Sequence, residues 1–131
     1  MSLDINKKVQ DIPFLKTLGV SVRVIAEQHA EMVVSIVDRH LNYMGTVHGG
    51  LISALVDTVC FFPQPLIPSG LKLTTVDLNV SYIRPAQKGD VLVARSELLH
   101  LGRSTARLSV KVTDQTDSLV AHGMATLMIL S

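Results

Sequence analysis

Tryptophan is absent from this chain of 131 residues, aromatic residues make up only 4% of it, and there is a single cysteine. Each shortage excludes something. With so few rings the interior must be filled by Val, Leu, Ile, Ala and Met, a composition suited to strands and to one tightly packed helix. Cys60 has no partner for an internal disulfide, and no Cys/His spacing of the zinc type occurs, so neither a metal nor a separate cofactor is expected. Charge of one sign is lacking too: 12 Lys and Arg stand interspersed with 11 Asp and Glu, for a formal net charge of +1. That pattern has no basic stripe for a phosphate backbone, which argues against a nucleic-acid partner. No apolar run approaches the roughly 20 residues of a membrane span, and Asp4 sits where a signal peptide would be apolar. A soluble, cytoplasmic protein that does not engage the membrane is expected.

What the chain does have is alternation. Hydrophobic residues make up 47% of it, enough for one compact domain over residues 1–131. Val9 to Leu18 reads as a brief helix broken by Pro13. Beyond Gly19, Val20, Val22 and Val24 alternate with Ser21 and Arg23, and AEMVVSIVD follows after Gln28-His29, as in a hairpin. Four further alternating segments are LKLTTVDLNVSYIR, DVLVARSELLH, RSTARLSVKVTD and SLVAHGMATLMIL, each bounded by turn residues. Between the two groups stands HGGLISALVDTVCFF, apolar on nearly every side, which marks a buried helix about 20 Å long that stops near Pro63. The fold class is therefore α+β: about six antiparallel strands curved around one central helix. A single helix cannot cover every sheet edge, so pairing with a second copy is expected.

Three features carry chemistry. Asp57 lies in the middle of the apolar helix, where an ionised carboxylate is costly to bury unless it is hydrogen-bonded or faces a cleft. The bland alternative is that it points to solvent on a polar stripe with Ser53, four residues back. Gly49 and Gly50 open the same helix, where exposed N–H groups and the positive end of the dipole could receive an oxyanion, or where the helix could merely pass close to a strand. Asp57 lies two turns on from Gly49, a spacing read here as close enough for one substrate carbonyl to sit between them. His48 could be a ligand, an acid or a helix-start residue, while His29, His40, His100 and His122 read as surface or turn residues and Cys60 as core.

Taken together, the N-x-x-G-x-x-H-G-G-x(6)-D pattern (Asn42, Gly45, His48, Gly49, Gly50, Asp57), the TTVDLNVSYIRPAQKGD stretch, the LGRSTARLSVKVTD hairpin and the closing AHGMATLMIL strand resemble the PaaI-like branch of the hotdog-fold thioesterases, within the larger 4-hydroxybenzoyl-CoA thioesterase group. The resemblance runs from about Leu18 onward. It implies hydrolysis of acyl-coenzyme A, with coenzyme A as part of the substrate and not a cofactor. Asp57 then resembles the carboxylate that activates water or attacks the thioester, and Gly49 the backbone donor that polarises its carbonyl. Asn42 and His48 resemble residues that orient the reacting group, and Thr75 one that holds the water or the carboxylate, reaching in from the neighbouring subunit. Arg84 and Arg103, beside Pro85 and Gly102, resemble basic residues near the nucleotide phosphates of coenzyme A, and Gly50 is counted with these four as substrate-binding. The family implies a homo-oligomer, a dimer or dimer of dimers, with active sites at the subunit interface.

One departure concerns substrate size: Phe61-Phe62 and PQPLIPSG replace the small residues and longer loop of similar proteins, which could narrow the acyl pocket. Other readings remain open at this level. They are a non-catalytic acyl-CoA-binding hotdog domain, an acyl-thioester dehydratase using His48 with Asp57, and a structural oligomerisation module.

Overall fold

The computed structural model describes residues 11–67 and 72–130. Its elements are α1 (Pro13–Leu18), β1 (Ser21–Ile25), β2 (His29–Ser35), a short 3-10 turn (Asp38–His40), α2 (Gly49–Val59), a second 3-10 turn (Gln64–Leu66), β3 (Leu73–Tyr82), β4 (Val91–Leu101), β5 (Thr105–Thr113) and β6 (Leu119–Ile129). All six strands form one antiparallel sheet in the order β1-β2-β4-β5-β6-β3. This is the sheet-around-helix arrangement that the alternating segments and the single apolar helix predict, and the hotdog fold that the family resemblance implies.

Period-two burial explains the curvature. Ala106, Leu108, Val110 and Val112 of β5 are all buried, as are Leu92, Ala94 and Ser96 of β4, so one sheet face is apolar and closes over α2. The helix answers with Leu51, Ile52, Leu55, Val56 and Val59, a one-sided set at helical spacing. Each such side chain contributes about 2 kcal/mol on burial. The other side of α2 is small and only half-buried, with Gly49, Ser53, Ala54, Asp57 and Thr58. Contact with the sheet is closest at Gly123 in β6, where an added Cβ would fall 2.7 Å from the Asn79 carbonyl and 2.8 Å from Val56 Cγ1. A glycine there lets helix and sheet meet.

Several expectations are corrected. Pro13 begins α1 at its first turn, where a missing N–H costs nothing, and does not break it; Val9 and Gln10 lie outside the described residues. Helix α2 ends at Val59 and not at Pro63, which makes it about 16 Å long. Ser96 Oγ from β4 donates to the Val59 carbonyl at 2.8 Å and satisfies that end. Strand β1 does not alternate cleanly, because its register against β2 shifts between Val22 and Val24. Phe62 is core, and Phe61 packs against the core. His40 is not a surface residue: it is 3% exposed, its Nδ1 accepts from the Val37 N–H at 3.0 Å, and its Nε2 donates to the Leu18 carbonyl at 2.7 Å. Both ring nitrogens are thus paired in the neutral tautomer, which ties α1 to the loop that leads into α2.

Candidate active site

The first turn of α2 is built by its own sequence. His48 is the N-cap, and its Nδ1 accepts the Gly50 N–H at 2.7 Å. The imidazole therefore carries its proton on Nε2. A Cβ on Gly50 would fall 2.8 Å from that same nitrogen, which accounts for the second glycine. The Leu51 N–H is taken by the His48 carbonyl, and the His48 N–H by the His40 carbonyl. That leaves Gly49, whose N–H has no partner among the described residues, as the donor still available at this terminus.

Asn42 anchors the preceding loop. Its Oδ1 accepts from the Met44 N–H at 2.9 Å and the Thr46 N–H at 3.1 Å, while its Nδ2 donates to Thr46 Oγ1. The Val47 N–H bonds to the Ala86 carbonyl, which draws the loop beside Arg84 and Pro85. A cavity of about 320 Å³ opens there, lined by Val47, Gly49, Ile52, Tyr82, Arg84 and Pro85. A second, of about 250 Å³ and largely apolar, lies among Phe14, Leu18, His48, Gly50, Leu51 and Ala54. Neither is lined by Phe61 or Phe62, so those residues do not narrow either cavity. A larger concavity, about 630 Å³, includes Arg23, Glu31, Arg95 and Lys111 in its lining and none of the candidate residues.

Asp57 is half-buried near the far end of α2, and Thr75 Oγ1 donates to its Oδ1 at 2.6 Å. Thr75 belongs to the same chain as the carboxylate it holds, which corrects the expectation that it arrives from a neighbour. Beneath it, burial and then the Asp57 charge push the Cys60 thiol up to about 12, and its Sγ donates to the Val56 carbonyl at 3.2 Å. Cys60 is inert core.

Two predicted juxtapositions do not occur within one chain. Eight residues of α-helix advance about 12 Å, more than a thioester carbonyl and an attacking water can bridge, so the Gly49 amide and its own Asp57 do not face one substrate. The basic residues divide in the same way. The Thr75 row runs Thr75–Leu127–Ala106–Leu101 across the sheet and ends beside the Gly102-Arg103 turn, whereas the Tyr82 row runs Tyr82–Ala121–Val112–Ala94 and has Arg84-Pro85 just beyond its first residue. About 20 Å of strand separates the rows. The candidate residues fall into two groups: Asn42, His48, Gly49, Gly50, Arg84 and Pro85 at one end, and Asp57, Thr75, Gly102 and Arg103 at the other.

Sequence reading passed over Tyr82 and considered Ser53 only as a polar neighbour of Asp57. Tyr82 Oη donates to the Gly49 carbonyl at 3.0 Å and hydrogen-bonds Ser53 Oγ. The available signal for Tyr82 was its rarity, as one of two tyrosines in the chain.

Comparison with known families adds the class to this geometry: residues 44–121 match the thioesterase superfamily model. The chain belongs to that superfamily of thioester hydrolases. Among relatives, it is 34% identical to acyl-coenzyme A thioesterase 13 of Mus musculus over 90 residues, covering 68% of this chain and 64% of that protein. It is 26% identical to acyl-coenzyme A thioesterase PaaI of Escherichia coli over 106 residues, covering 81% and 74%. The E. coli PaaI structure superposes with a TM-score of 0.88 at 21% identity, over 97% of this chain and 91% of that one. The Streptococcus mutans protein smu.793, solved bound to acetyl CoA, gives 0.78 at 27% identity, over 86% and 89%. Among the described residues no helix is long and apolar enough to cross a membrane, and no group of His, Cys, Asp and Glu is placed to hold a metal ion.

Proposed function

We propose that the chain is an acyl-coenzyme A thioesterase whose active site is completed by a second copy of itself. The observation that carries this reading is the distribution of the parts: a Thr75-held carboxylate at one end of α2, an unpaired Gly49 amide at the other, and about 12 Å of helix between them. A two-fold axis across the helix would set the Asp57 of one subunit against the Gly49 of the other, twice per dimer.

Strand β3 supports the same assembly. It is the ten-residue edge of the sheet, and Val76, Leu78 and Ile83 are 51%, 37% and 54% exposed along or just beyond it. A long edge strand with exposed apolar side chains needs a partner. Antiparallel pairing of β3 with its copy about Leu78-Asn79 brings Thr75 of one chain opposite Tyr82 of the other. It also brings Arg103 and Gly102 of one chain to the end where the other has Arg84 and Pro85, a basic rim for the coenzyme A phosphates. Two such dimers could pair further without altering the site.

The chemistry follows. The thioester carbonyl oxygen accepts the Gly49 N–H, with the α2 dipole behind it, so charge developing on that oxygen meets a fixed donor. Thr75 occupies Asp57 Oδ1, which leaves the other carboxylate oxygen to take a proton from water as the water oxygen bonds to the carbonyl carbon. Collapse breaks the C–S bond, and the coenzyme A sulfur leaves with the proton held by Asp57. Direct attack by Asp57 is the other route, and a single turnover in heavy-oxygen water separates them, since that route labels the carboxylate first. His48 is not arranged as a dehydratase base, because its Nδ1 is engaged by Gly50 and its Nε2 carries the proton.

The test is thiol release from a panel of short, medium and aryl acyl-CoAs. Asp57→Asn should lower turnover on the order of a hundredfold or more while leaving fold and assembly intact. Release that survives in that variant removes Asp57 from the mechanism. No release from any thioester by the unaltered protein favours the binding module, and an enoyl thioester product favours the dehydratase.

A further inference from the structure

Resting on the thioesterase reading, we propose that Tyr82 is a positioning residue for the oxyanion donor: it fixes the direction of the Gly49 N–H by clamping the first turn of α2 to strand β3, with Ser53 as the second point of the clamp. Leu51 and Ile52 anchor the first turn of α2 in the core, but the two residues ahead of them are glycines with no side chain to hold their own backbone, and glycine has the most backbone freedom to lose. Something else must aim the amide. His48 supplies one restraint by taking the Gly50 N–H, but His48 belongs to the same segment as the glycines and is itself exposed. Tyr82 is the restraint that comes from the sheet.

Its geometry fits that role. The Tyr82 ring lies against Gly49, so that a Cβ added there would fall 3.4 Å from ring carbons and from Oη. The hydroxyl donates to the Gly49 carbonyl at 3.0 Å, and it also bonds Ser53 Oγ one turn further along. The Gly49 carbonyl already lies where the Ser53 N–H closes the first helical turn, so the phenol uses its second lone pair and costs the helix nothing. The same contact pulls electron density from the Gly49–Gly50 peptide, which strengthens the bond that Gly50 makes to His48. β3 thereby holds both half-sites of a chain: Thr75 sets Asp57 at one end of the strand, and Tyr82 sets Gly49 at the other. The inference is specific, since it requires Tyr82 to act only through the amide and not on substrate.

Tyr82→Phe keeps the ring and removes the hydroxyl. Expected is a fall in kcat of about tenfold with KM within about twofold, because a misdirected donor weakens the transition state more than the bound substrate. Ser53→Ala should lower kcat less, and the double variant should match Tyr82→Phe. The decisive arm uses Gly49→Pro, which removes the N–H at a helical position where proline is well tolerated. In that background Tyr82→Phe should cost nothing further. An unchanged kcat in Tyr82→Phe, a raised KM at constant kcat, or an equal loss in the Gly49→Pro background would overturn the inference. Its failure is distinguishable from failure of the thioesterase reading. If the unaltered protein turns over acyl-CoA and Asp57→Asn does not, while Tyr82→Phe matches the unaltered protein, only the clamp is wrong.

Discussion

Thr75 Oγ1 donates to Asp57 Oδ1 at 2.6 Å, joining the edge strand to the central helix across 18 residues of sequence. The bond fixes the carboxylate plane and leaves one oxygen for water. Thr75→Val keeps the shape and removes the donor, so turnover should fall between about tenfold and a hundredfold with little change in KM. Steady-state kinetics on one acyl-CoA checks this, and an unchanged kcat would show that the carboxylate needs no such support.

The Gly123 contact predicts a stability loss. Gly123→Ala presses a methyl group onto the backbone carbonyl of Asn79 and onto Val56, neither of which can swing aside as a flexible side chain would. The cost should be about 2 kcal/mol or more. Urea unfolding should show a lower midpoint at unchanged slope. Because Val56 adjoins Asp57, kcat should fall as well.

His40 predicts a second. His40→Ala leaves the Val37 N–H and the Leu18 carbonyl without their partner in a buried site, at a cost on the order of 3 kcal/mol. Urea unfolding reads the loss. An alanine variant as stable as the original would mean that water replaces the ring.

Cys60 gives a pH dependence. Burial, then the Asp57 charge, raises its thiol from 9.0 to about 12 in the folded chain. The folded state holds this proton more tightly than the unfolded one, so the contribution is fully present below about pH 9 and is lost as pH rises from there toward 12. A thiol reagent at about pH 8 should label the unfolded protein and spare the native one. Rapid labelling of the native protein would contradict the burial.

Much of this was legible in the residues, and the exceptions have physical causes. Period-two alternation exposed the strands because one sheet face is dry, and HGGLISALVDTVCFF stood out because its composition differs from everything around it. The pairing of Thr75 with Asp57 came only from the family resemblance and from no local pattern, since it depends on how the helix lies over the sheet. The separation of Arg84 from Arg103 is likewise a matter of strand register, which no local pattern reveals. His40 does lie in a turn, but its burial was not legible because a buried histidine satisfied by two backbone groups has no sequence signature. Tyr82 was missed because a lone aromatic in a strand reads as packing.

The central claim is that the Gly49 amide of one subunit works with the Asp57 of the other. Purified mixed dimers carrying Asp57→Asn in one chain and Gly49→Pro in its partner test it most directly. One of the two sites then keeps both groups, so the mixed dimer should recover about half of the original turnover although either homodimer is nearly inactive. Mixed dimers as inactive as their parents would contradict the shared site.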